Sequence, residues 1–265
     1  MTDFTMLYDA AMIATLPMYD WPEVRGATDR WWAGLARHLE TNIPLTRVED
    51  FSTAWTSPDL CLSQTCGYPF THILAGRVKL VATPHYTVDG CEGPYYRSII
   101  LARETMPLEA FRGTVAAVNT PDSMSGMLAM KLVFAPLAEN GRFFSRAIET
   151  GGHLRSMQAV RDGTADVCAI DAVCVGMARK YRPDDLAGLV EITRSPMVPA
   201  LPLITNMGDP ARIRQALHSA FADPDLQEAR DQLFLSGFST LEPRDYAVIT
   251  ESEAAMEQAG GLELL

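Results

Sequence analysis

Small polar residues crowd the segment Val118-Asn-Thr-Pro-Asp-Ser-Met-Ser-Gly126, which lies between a predicted strand and a predicted helix. Asp122 or Ser123 can cap that helix with its side chain. Ser125 and the backbone N–H groups beyond it then face the carboxyl end of the strand, where α/β proteins bind ligands. Two hydroxyls and a helix N-terminus suit an anion the size of phosphate. A helix cap that holds no ligand explains the same residues equally well, because N-caps are far commoner than ligand sites.

A second polar helix start follows at Thr150-Gly-Gly-His-Leu-Arg-Ser156. Its glycines allow the backbone to approach a ligand closely, and His153 can donate to an anion from its ring and its backbone. A lone histidine at a helix start is also commonly structural. Asp171 closes the apolar strand 167–170, where it either binds a ligand's amine or hydroxyl or caps the next helix. The candidate ligand residues in residues 118–171 are Ser123, Met124, Ser125, Gly126, His153 and Asp171.

Tyrosines follow two predicted strands nearer the start of the chain, at Tyr19 and Tyr68. A tyrosine at a sheet edge can form the wall of a ligand site and hydrogen-bond the ligand, although surface-packed tyrosines are as common. Ser98 lies on a predicted strand that also carries two tyrosines, and alternate side chains of that strand would face a ligand. The candidate ligand residues in the first hundred residues are Tyr19, Gln64, Thr65, Tyr68 and Ser98.

Sequence signatures of known catalytic sites are absent. The chain has no G-x-S-x-G, H-E-x-x-H, G-x-G-x-x-G or G-K-[ST] motif, and no C-x-x-C or His-rich spacing typical of zinc sites. Ser123 or Ser125 is a nucleophile only if His153 lies within hydrogen-bond reach as its base. We therefore expect a binding protein that performs no covalent chemistry and needs no cofactor or metal.

The net charge of −11 over 265 residues argues against nucleic acid as a partner. It does not exclude an anionic ligand, because N–H groups act over a few ångströms while distant surface charge is screened by salt. The apolar stretches are shorter than the roughly 20 residues that a membrane span needs. Asp3 and Asp9 interrupt the apolar core that a signal peptide would have, so the chain as written is not predicted to be exported.

Strand-like and helix-like apolar patterns alternate along the chain, which favours an α/β fold with two lobes. Each lobe is predicted to have a mainly parallel sheet flanked by helices. Residues 1–102 and 197–265 form lobe 1, with a helical tail packed on it, and residues 103–196 form lobe 2. The two chain crossings between the lobes are the expected hinge, and we expect a ligand to close it.

The five cysteines divide into two groups. Cys61, Cys168 and Cys174 lie in apolar runs, which is typical of free thiols in a reducing compartment. Cys66 and Cys91 lie in glycine-flanked loops, and we expect them to be close together on lobe 1. A disulfide between them is possible but is not decided by the sequence.

The helix start at 122–126, the Gly151-Gly152-His153 turn and the strand 165–171, in this order and spacing, resemble the phosphate/phosphite/phosphonate substrate-binding proteins of ABC transporters. The resemblance covers nearly the whole chain. It implies a type II periplasmic-binding-protein fold that closes around an oxyanion. It also implies that Ser123, Ser125, Gly126 and His153 hold the phosphorus-bound oxygens, while Tyr19, Tyr68 and Asp171 line the rest of the ligand. An aminoalkyl ligand is in doubt, because no further acidic partner for an amine is evident.

Two functions remain open at this point. The first is a monomeric, periplasmic binding protein that delivers a phosphonate, phosphate or phosphite to an ABC permease. The second is a cytoplasmic enzyme or ligand sensor on the same two-lobed scaffold, since unrelated functions share folds. A purely structural interaction module would need a large exposed apolar patch, and the sequence shows no sustained one.

Overall fold

The computed structural model describes residues 12–264, which form two compact units. Unit 1 comprises residues 12–87 and 200–243, and unit 2 comprises residues 88–199 and 244–264. The chain therefore passes between the units three times, at 87/88, 199/200 and 243/244.

The elements are numbered in chain order. The strands are β1 (Ile13–Thr15), β2 (Leu60–Gln64), β3 (Lys79–Tyr86), β4 (Cys91–Glu92), β5 (Tyr95–Tyr96), β6 (Ser98–Ala102), β7 (Val115–Val118), β8 (Arg146–Glu149), β9 (Val167–Asp171), β10 (Val190–Arg194), β11 (Val198–Pro199), β12 (Leu203–Thr205) and β13 (Leu235–Ser239). The α-helices are α1 (Arg25–His38), α2 (Phe51–Thr56), α3 (Gly67–Thr71), α4 (Ala129–Phe134), α5 (His153–Arg161), α6 (Ala172–Tyr181), α7 (Pro210–Ala222), α8 (Gln227–Gln232) and α9 (Ala247–Gln258). A π-helical turn, Met124–Leu128, leads directly into α4. None of the helices within residues 12–264 is long and apolar enough to cross a membrane.

Unit 1 contains a five-stranded sheet in the order β1-β2-β12-β3-β13. β1 and β2 are parallel, whereas β12 is antiparallel to both of its neighbours and β13 is antiparallel to β3. Helix α1 turns Trp31 and Leu35 towards the core because residues four apart share one helix face. Leu217 of α7 is buried in the same core.

Unit 2 contains a second five-stranded sheet, in the order β10-β6-β9-β7-β8, and a small sheet of β11-β5-β4. β7 is parallel to both β8 and β9, so these three strands end at the same edge. In the core of this unit, the rings of Phe134, Phe143 and Phe144 pack edge-on or tilted at 4.9–5.1 Å between centroids. Leu262 and Leu264, close to the C-terminus, are buried in this core.

Three expectations about the architecture need correction. Both five-stranded sheets are mixed rather than mainly parallel, because β12 returns between β2 and β3 in unit 1, and β6 is antiparallel to both β9 and β10 in unit 2. The tail is not wholly helical, since residues 235–239 form the edge strand β13. The lobe boundaries also shift: β6 pairs with β9, and α9 and the C-terminal leucines pack in unit 2, so residues 88–102 and 244–264 belong there.

The cysteines also differ from the expectation. All five are free thiols. Cys66 precedes α3 in unit 1, but Cys91 lies in the β4–β5 hairpin of unit 2, so the two are not on the same lobe. Cys91 belongs there because its hairpin pairs with β11 and leads directly into β6.

The close packing of Gly176 in α6 against Val88 gives a test of the unit 2 core. A Cβ at position 176 would lie 2.4 Å from one Val88 methyl group and 2.9 Å from its Cβ. We expect Gly176→Ala to lower the free energy of unfolding by about 1–3 kcal/mol, because this site has no room for a methyl group. The added substitution Val88→Ala should recover part of the loss, as measured by denaturant titration.

Gly26→Ala is the matched control, because a Cβ on this exposed residue of α1 would meet only the Arg30 guanidinium, at 3.6 Å. There the gain in helix propensity should raise stability by up to about 1 kcal/mol. Equal effects of the two glycine substitutions would contradict the packing of α6 on Val88.

Candidate functional site

Three helices of unit 2 begin at one edge of its sheet. β7, β8 and β9 end at Val118, Glu149 and Asp171, and the π-turn, α5 and α6 begin beyond them. The first N–H groups of a helix have no acceptor within the helix and carry a partial positive charge. The edge therefore concentrates hydrogen-bond donors with the same orientation.

The loops after β7 and β8 are joined by backbone hydrogen bonds. Thr150 N–H donates to the carbonyl of Val118 at 2.8 Å, and Gly151 N–H donates to that of Asn119 at 2.7 Å. The Thr150 hydroxyl adds a bond to the Val118 carbonyl, 3.0 Å, and another to the Ser156 hydroxyl, 2.7 Å. These bonds fix the start of α5 against the loop that leads to Ser125.

The structure brings Ser125 and His153 into direct contact. Ser125 Oγ and His153 Nε2 are hydrogen-bonded at 2.9 Å, and Ser125 is buried. Ser125 lies in the π-turn that precedes α4, and His153 is the first residue of α5. Two predicted ligand residues from separate segments thus lie side by side at the sheet edge.

His153 is neutral at physiological pH. Burial lowers the pKa of its imidazole to about 4, although the backbone of Ala169 favours the protonated form. Part of the side chain remains accessible, but Nδ1 is fully covered and has no hydrogen-bond partner of normal geometry among the described residues. The ring therefore acts as a hydrogen-bonding group and not as a cation.

The sequence left open whether Asp122 or Ser123 caps this helix, and in the structure Ser123 does. Its Oγ accepts the N–H of Gly126 at 2.9 Å, so this N–H, one of those expected to face a ligand, is used within the turn. Met124 is buried, so its side chain serves the core and only its backbone remains a candidate ligand group. The Gly126 N–H is therefore engaged within the turn, and the roles of Ser123, Met124 and Gly126 towards a ligand stay predictions.

Asn119 is a residue of this site that the sequence analysis did not select. Its Oδ1 would lie 1.7 Å from a Cβ on Gly126, so the amide packs directly on the glycine. The same oxygen is buried without a hydrogen-bond partner among the described residues. Its position directly after β7, inside the polar segment, was the available signal.

Arg155 was also missed. Its Nε donates to the carbonyl of Thr150, and its guanidinium packs over Gly151, which has a φ of +76°. The sequence signal was a basic residue two positions after His153. Arg155 is therefore a cationic group at the same helix start as His153.

Asp171 and Ser98 lie opposite each other on β9 and β6, and both are buried. Asp171 Oδ1 accepts the N–H of Val173 at 2.7 Å, so it caps α6, one of the two roles that the sequence left open. Burial, followed by the charge of Asp171, raises the pKa of the Cys91 thiol to about 12. Ser98 N–H donates to the hydroxyl of Ser195 at 2.8 Å.

In unit 1, Tyr19 and Gln64 meet around Tyr86. The rings of Tyr19 and Tyr86 are edge-on at 5.3 Å, and Gln64 Nε2 donates to the Tyr86 hydroxyl at 2.9 Å. Thr65 is completely buried, whereas Tyr68 stacks on His72 at 3.8 Å between ring centroids. Tyr86 was missed by the sequence analysis, because it ends a strand with no motif of its own.

The family follows from a comparison of the whole chain. Residues 14–246 match the profile of the family described as ABC transporter, phosphonate, periplasmic substrate-binding protein. The chain belongs to this family. The sequence-based assignment to phosphate, phosphite and phosphonate binding proteins is therefore confirmed, as is its function class, a transport substrate-binding protein. A search of curated proteins finds no match.

Solved structures show the same fold. PhnD1 from Prochlorococcus marinus, in complex with methylphosphonate, matches with a TM-score of 0.74 at 14% identity, over 93% of this chain and 98% of that one. The binding protein component of an ABC phosphonate transporter (PA3383) from Pseudomonas aeruginosa matches at 0.73 and 14%, over 94% and 87%. XAC2383 from Xanthomonas citri, bound to ATP, matches at 0.68 and 17%, over 94% and 97%. The predicted α/β fold with two lobes is confirmed.

A serine hydrogen-bonded to a histidine, as Ser125 is to His153, is also the arrangement of a catalytic nucleophile and its base. A serine nucleophile needs a base whose pKa is near the working pH and a third group that orients the base. Burial lowers the pKa of His153 to about 4, and no carboxylate pairs with Nδ1 in the described structure. The pair is poorly suited to activate the hydroxyl, and the contact fixes the position of Ser125 Oγ.

The neutral state of His153 predicts a pH dependence of stability. An unfolded histidine binds a proton near pH 6.5, whereas His153 binds one only near pH 4. Between these values the unfolded state binds more protons, so stability falls as the pH is lowered, by at most about 1.4 kcal/mol per pH unit. Thermal melting from pH 7.5 to 4.5 should show a smaller fall for His153→Gln than for the wild type.

The exposed His218 of α7 provides the control variant, His218→Gln. It should keep the pH dependence of the wild type. The assignment of a neutral, buried imidazole is wrong if His153→Gln and the wild type lose stability in parallel.

Proposed function

We propose that this protein binds a small phosphorus oxyanion, a phosphonate, phosphite or phosphate, at the helix starts of unit 2. The observation that carries the proposal is the 2.9 Å contact between Ser125 and His153, which joins two of these helix starts. The proposal takes the tautomer of His153 in which Nε2–H donates to Ser125 Oγ, so that the serine hydroxyl donates its own proton to the anion. The N–H groups of the first turns supply further donors.

The energies are sufficient without a bound metal. A helix start near an anion contributes about 0.3–1 kcal/mol, and roughly 2 where partly buried, while a hydrogen bond to a charged group contributes about 1.5–3 kcal/mol. Two hydroxyls and several N–H groups thus reach the roughly 8 kcal/mol that micromolar binding requires. Arg155, at the same helix start as His153, adds a positive charge.

The structural neighbours support the ligand class. PhnD1 was solved with methylphosphonate, and XAC2383 was solved with ATP and with chloride. Each of these ligands is an anion, but they differ greatly in size. The shared fold therefore accommodates anions in general, and the phosphorus oxyanion is argued here from Ser125, His153 and the helix starts of this chain.

The remaining candidate residues are assigned to the rest of the ligand. In this proposal the candidates for it are Tyr19, Gln64 and Tyr68. Thr65, Ser98 and Asp171 are buried, and they position their neighbours or contact the ligand through the backbone. We place the protein in the periplasm, where it delivers its ligand to an ABC permease through ligand-driven closure. The absence of catalysis is part of the same proposal.

Substitutions at the two helix starts test this function. Titration calorimetry with methylphosphonate, phosphite and phosphate should show micromolar binding of at least one of them. Ser125→Ala should weaken it by about tenfold or more, because one hydrogen bond to the anion is lost, and 1.4 kcal/mol corresponds to one decade. His153→Gln should act similarly, and the double variant should lose less than the sum because both residues serve one group.

Ser145→Ala is the control, since Ser145 is an exposed serine of unit 2 that bonds the Thr114 carbonyl. It should leave the affinity unchanged. If no oxyanion binds the wild type, or if Ser125→Ala lowers the melting temperature but not the affinity, Ser125 is only part of a helix start. Hydrolysis of an activated ester that is lost in Ser125→Ala would instead favour the enzymatic alternative.

A further inference from the structure

The side-chain amide of Asn119 lies between two helix starts of unit 2 and hydrogen-bonds to neither. The backbone carbonyl of Asn119 accepts the N–H of Gly151 at 2.7 Å, while its side chain packs on Gly126. Ser125, the neighbour of Gly126, contacts His153, which lies two residues after Gly151. Asn119 therefore belongs to the same junction of loops as the Ser125–His153 pair.

The two ends of this amide have different surroundings. Oδ1 is covered by the protein and would lie 1.7 Å from a Cβ on Gly126. Nδ2 is not covered, and it donates no hydrogen bond to any described residue. The carbonyl end is thus turned into the protein, whereas the NH₂ end of this half-buried residue is accessible. The amide presents N–H donors that no acceptor within the described residues uses.

The fold gains little from an amide at this position. Burial of Oδ1 without a donor destabilises a folded protein, and a side chain without polar atoms would avoid that cost. The turn does not need the amide as a cap either, because Ser123 Oγ already accepts the N–H of Gly126. An oxyanion offers only acceptors for such donors, and an amide NH₂ group offers two N–H donors. The properties of Asn119 are therefore those of a ligand-binding residue more than those of a packing residue.

We propose that Asn119 Nδ2 donates a hydrogen bond to the bound oxyanion, beside Ser125 Oγ and the N–H groups of the helix starts. The inference rests on the proposed function, because it assumes that an oxyanion binds at these helix starts. It adds a side-chain donor that carries no charge. A further donor suits phosphonate and phosphite, which have three oxygens on one phosphorus atom.

Asn119→Ala removes the amide and tests the proposal directly. Affinities for methylphosphonate, phosphite and phosphate are measured by titration calorimetry. We expect the affinity for each of these ions that the wild type binds to fall about tenfold or more, because a hydrogen bond to a charged group is lost. The melting temperature without ligand should change little, since an unpaired buried oxygen is removed together with its packing on Gly126.

Two further variants separate the loss of a donor from the loss of packing. In Asn119→Ala/Gly126→Ala, the methyl group of residue 126 takes the space that Oδ1 occupies in the wild type. This variant should bind as weakly as Asn119→Ala. Asn140→Gly is the matched control, because Asn140 is an exposed asparagine of unit 2 whose φ of +53° glycine adopts freely. It should keep the affinity of the wild type.

The NMR signals of side-chain NH₂ groups report on the contact independently of affinity. Those of Asn119 are identified by their absence in Asn119→Ala, and they should shift when the wild type is saturated with the oxyanion. Those of Asn206 in unit 1 should not, because its Nδ2 already donates to the carbonyls of Trp55 and Ser57, at 2.8 and 2.7 Å.

The outcomes distinguish this inference from the proposed function. If an oxyanion binds the wild type and Asn119→Ala equally well, or if the Asn119 NH₂ signals stay in place at saturation, the inference is wrong while the oxyanion function stands. If the double variant regains the affinity of the wild type, Asn119 only packs on Gly126, and the inference is again wrong. If no phosphonate, phosphite or phosphate binds the wild type, the proposed function fails and this inference fails with it.

Discussion

The parallel pairing of β7 with β8 is the constraint on which the candidate site depends. Parallel neighbours end at the same edge, so the segments that follow them begin side by side. Here the carbonyls of Val118 and Asn119 accept the N–H groups of Thr150 and Gly151, which extends the pairing into the loops. Ser125 and His153 are 28 positions apart in the sequence, and this extension is what places them in contact. A register change of one residue between β7 and β8 would separate them.

A second physical feature of the site is that hydrogen-bond donors are concentrated there although the protein as a whole is strongly negative. The donors are N–H groups at helix starts and not a cluster of lysines and arginines. The net charge of −11 acts at long range, where salt screens it, whereas helix N–H groups act at contact distance. Burial keeps His153 neutral, so its ring hydrogen-bonds the Ser125 hydroxyl without adding a positive charge to the site. In the proposed site, the direction of these hydrogen bonds acts together with the charge of Arg155.

The sequence predicted what depends on local patterns and failed where long-range pairing decides. Helix α6 begins directly after Asp171, as one of the two predicted roles of this residue requires, because its carboxylate accepts the N–H of Val173. β13 was missed, since Leu-Ser-Gly-Phe-Ser has strand character only as an edge strand beside β3. The assignment of β6 and α9 to unit 2 was missed for the same reason, because β6 pairs with β9, almost 70 residues later.

The same difference between local patterns and long-range contacts separates the site residues that were predicted from those that were missed. The two helix starts carry local signals, namely small polar residues and glycines, and both were found. Asn119 and Tyr86 carry no such signal: an asparagine after a strand and a tyrosine at a strand end are common, and only the contacts with Gly126 and Gln64 distinguish them. Arg155 was visible as a basic residue, but its packing over Gly151 depends on the left-handed turn that the loop adopts.

One buried polar atom at this edge has no partner, and helix capping does not account for it. Asn119 Oδ1 lies against Gly126 and has no hydrogen-bond partner among the described residues. Such a group costs about 1–3 kcal/mol in a folded protein. The start of the π-turn does not require it, because Ser123 Oγ already accepts the N–H of Gly126. A hydrogen bond to a ligand or to an ordered water offsets the burial of such an oxygen.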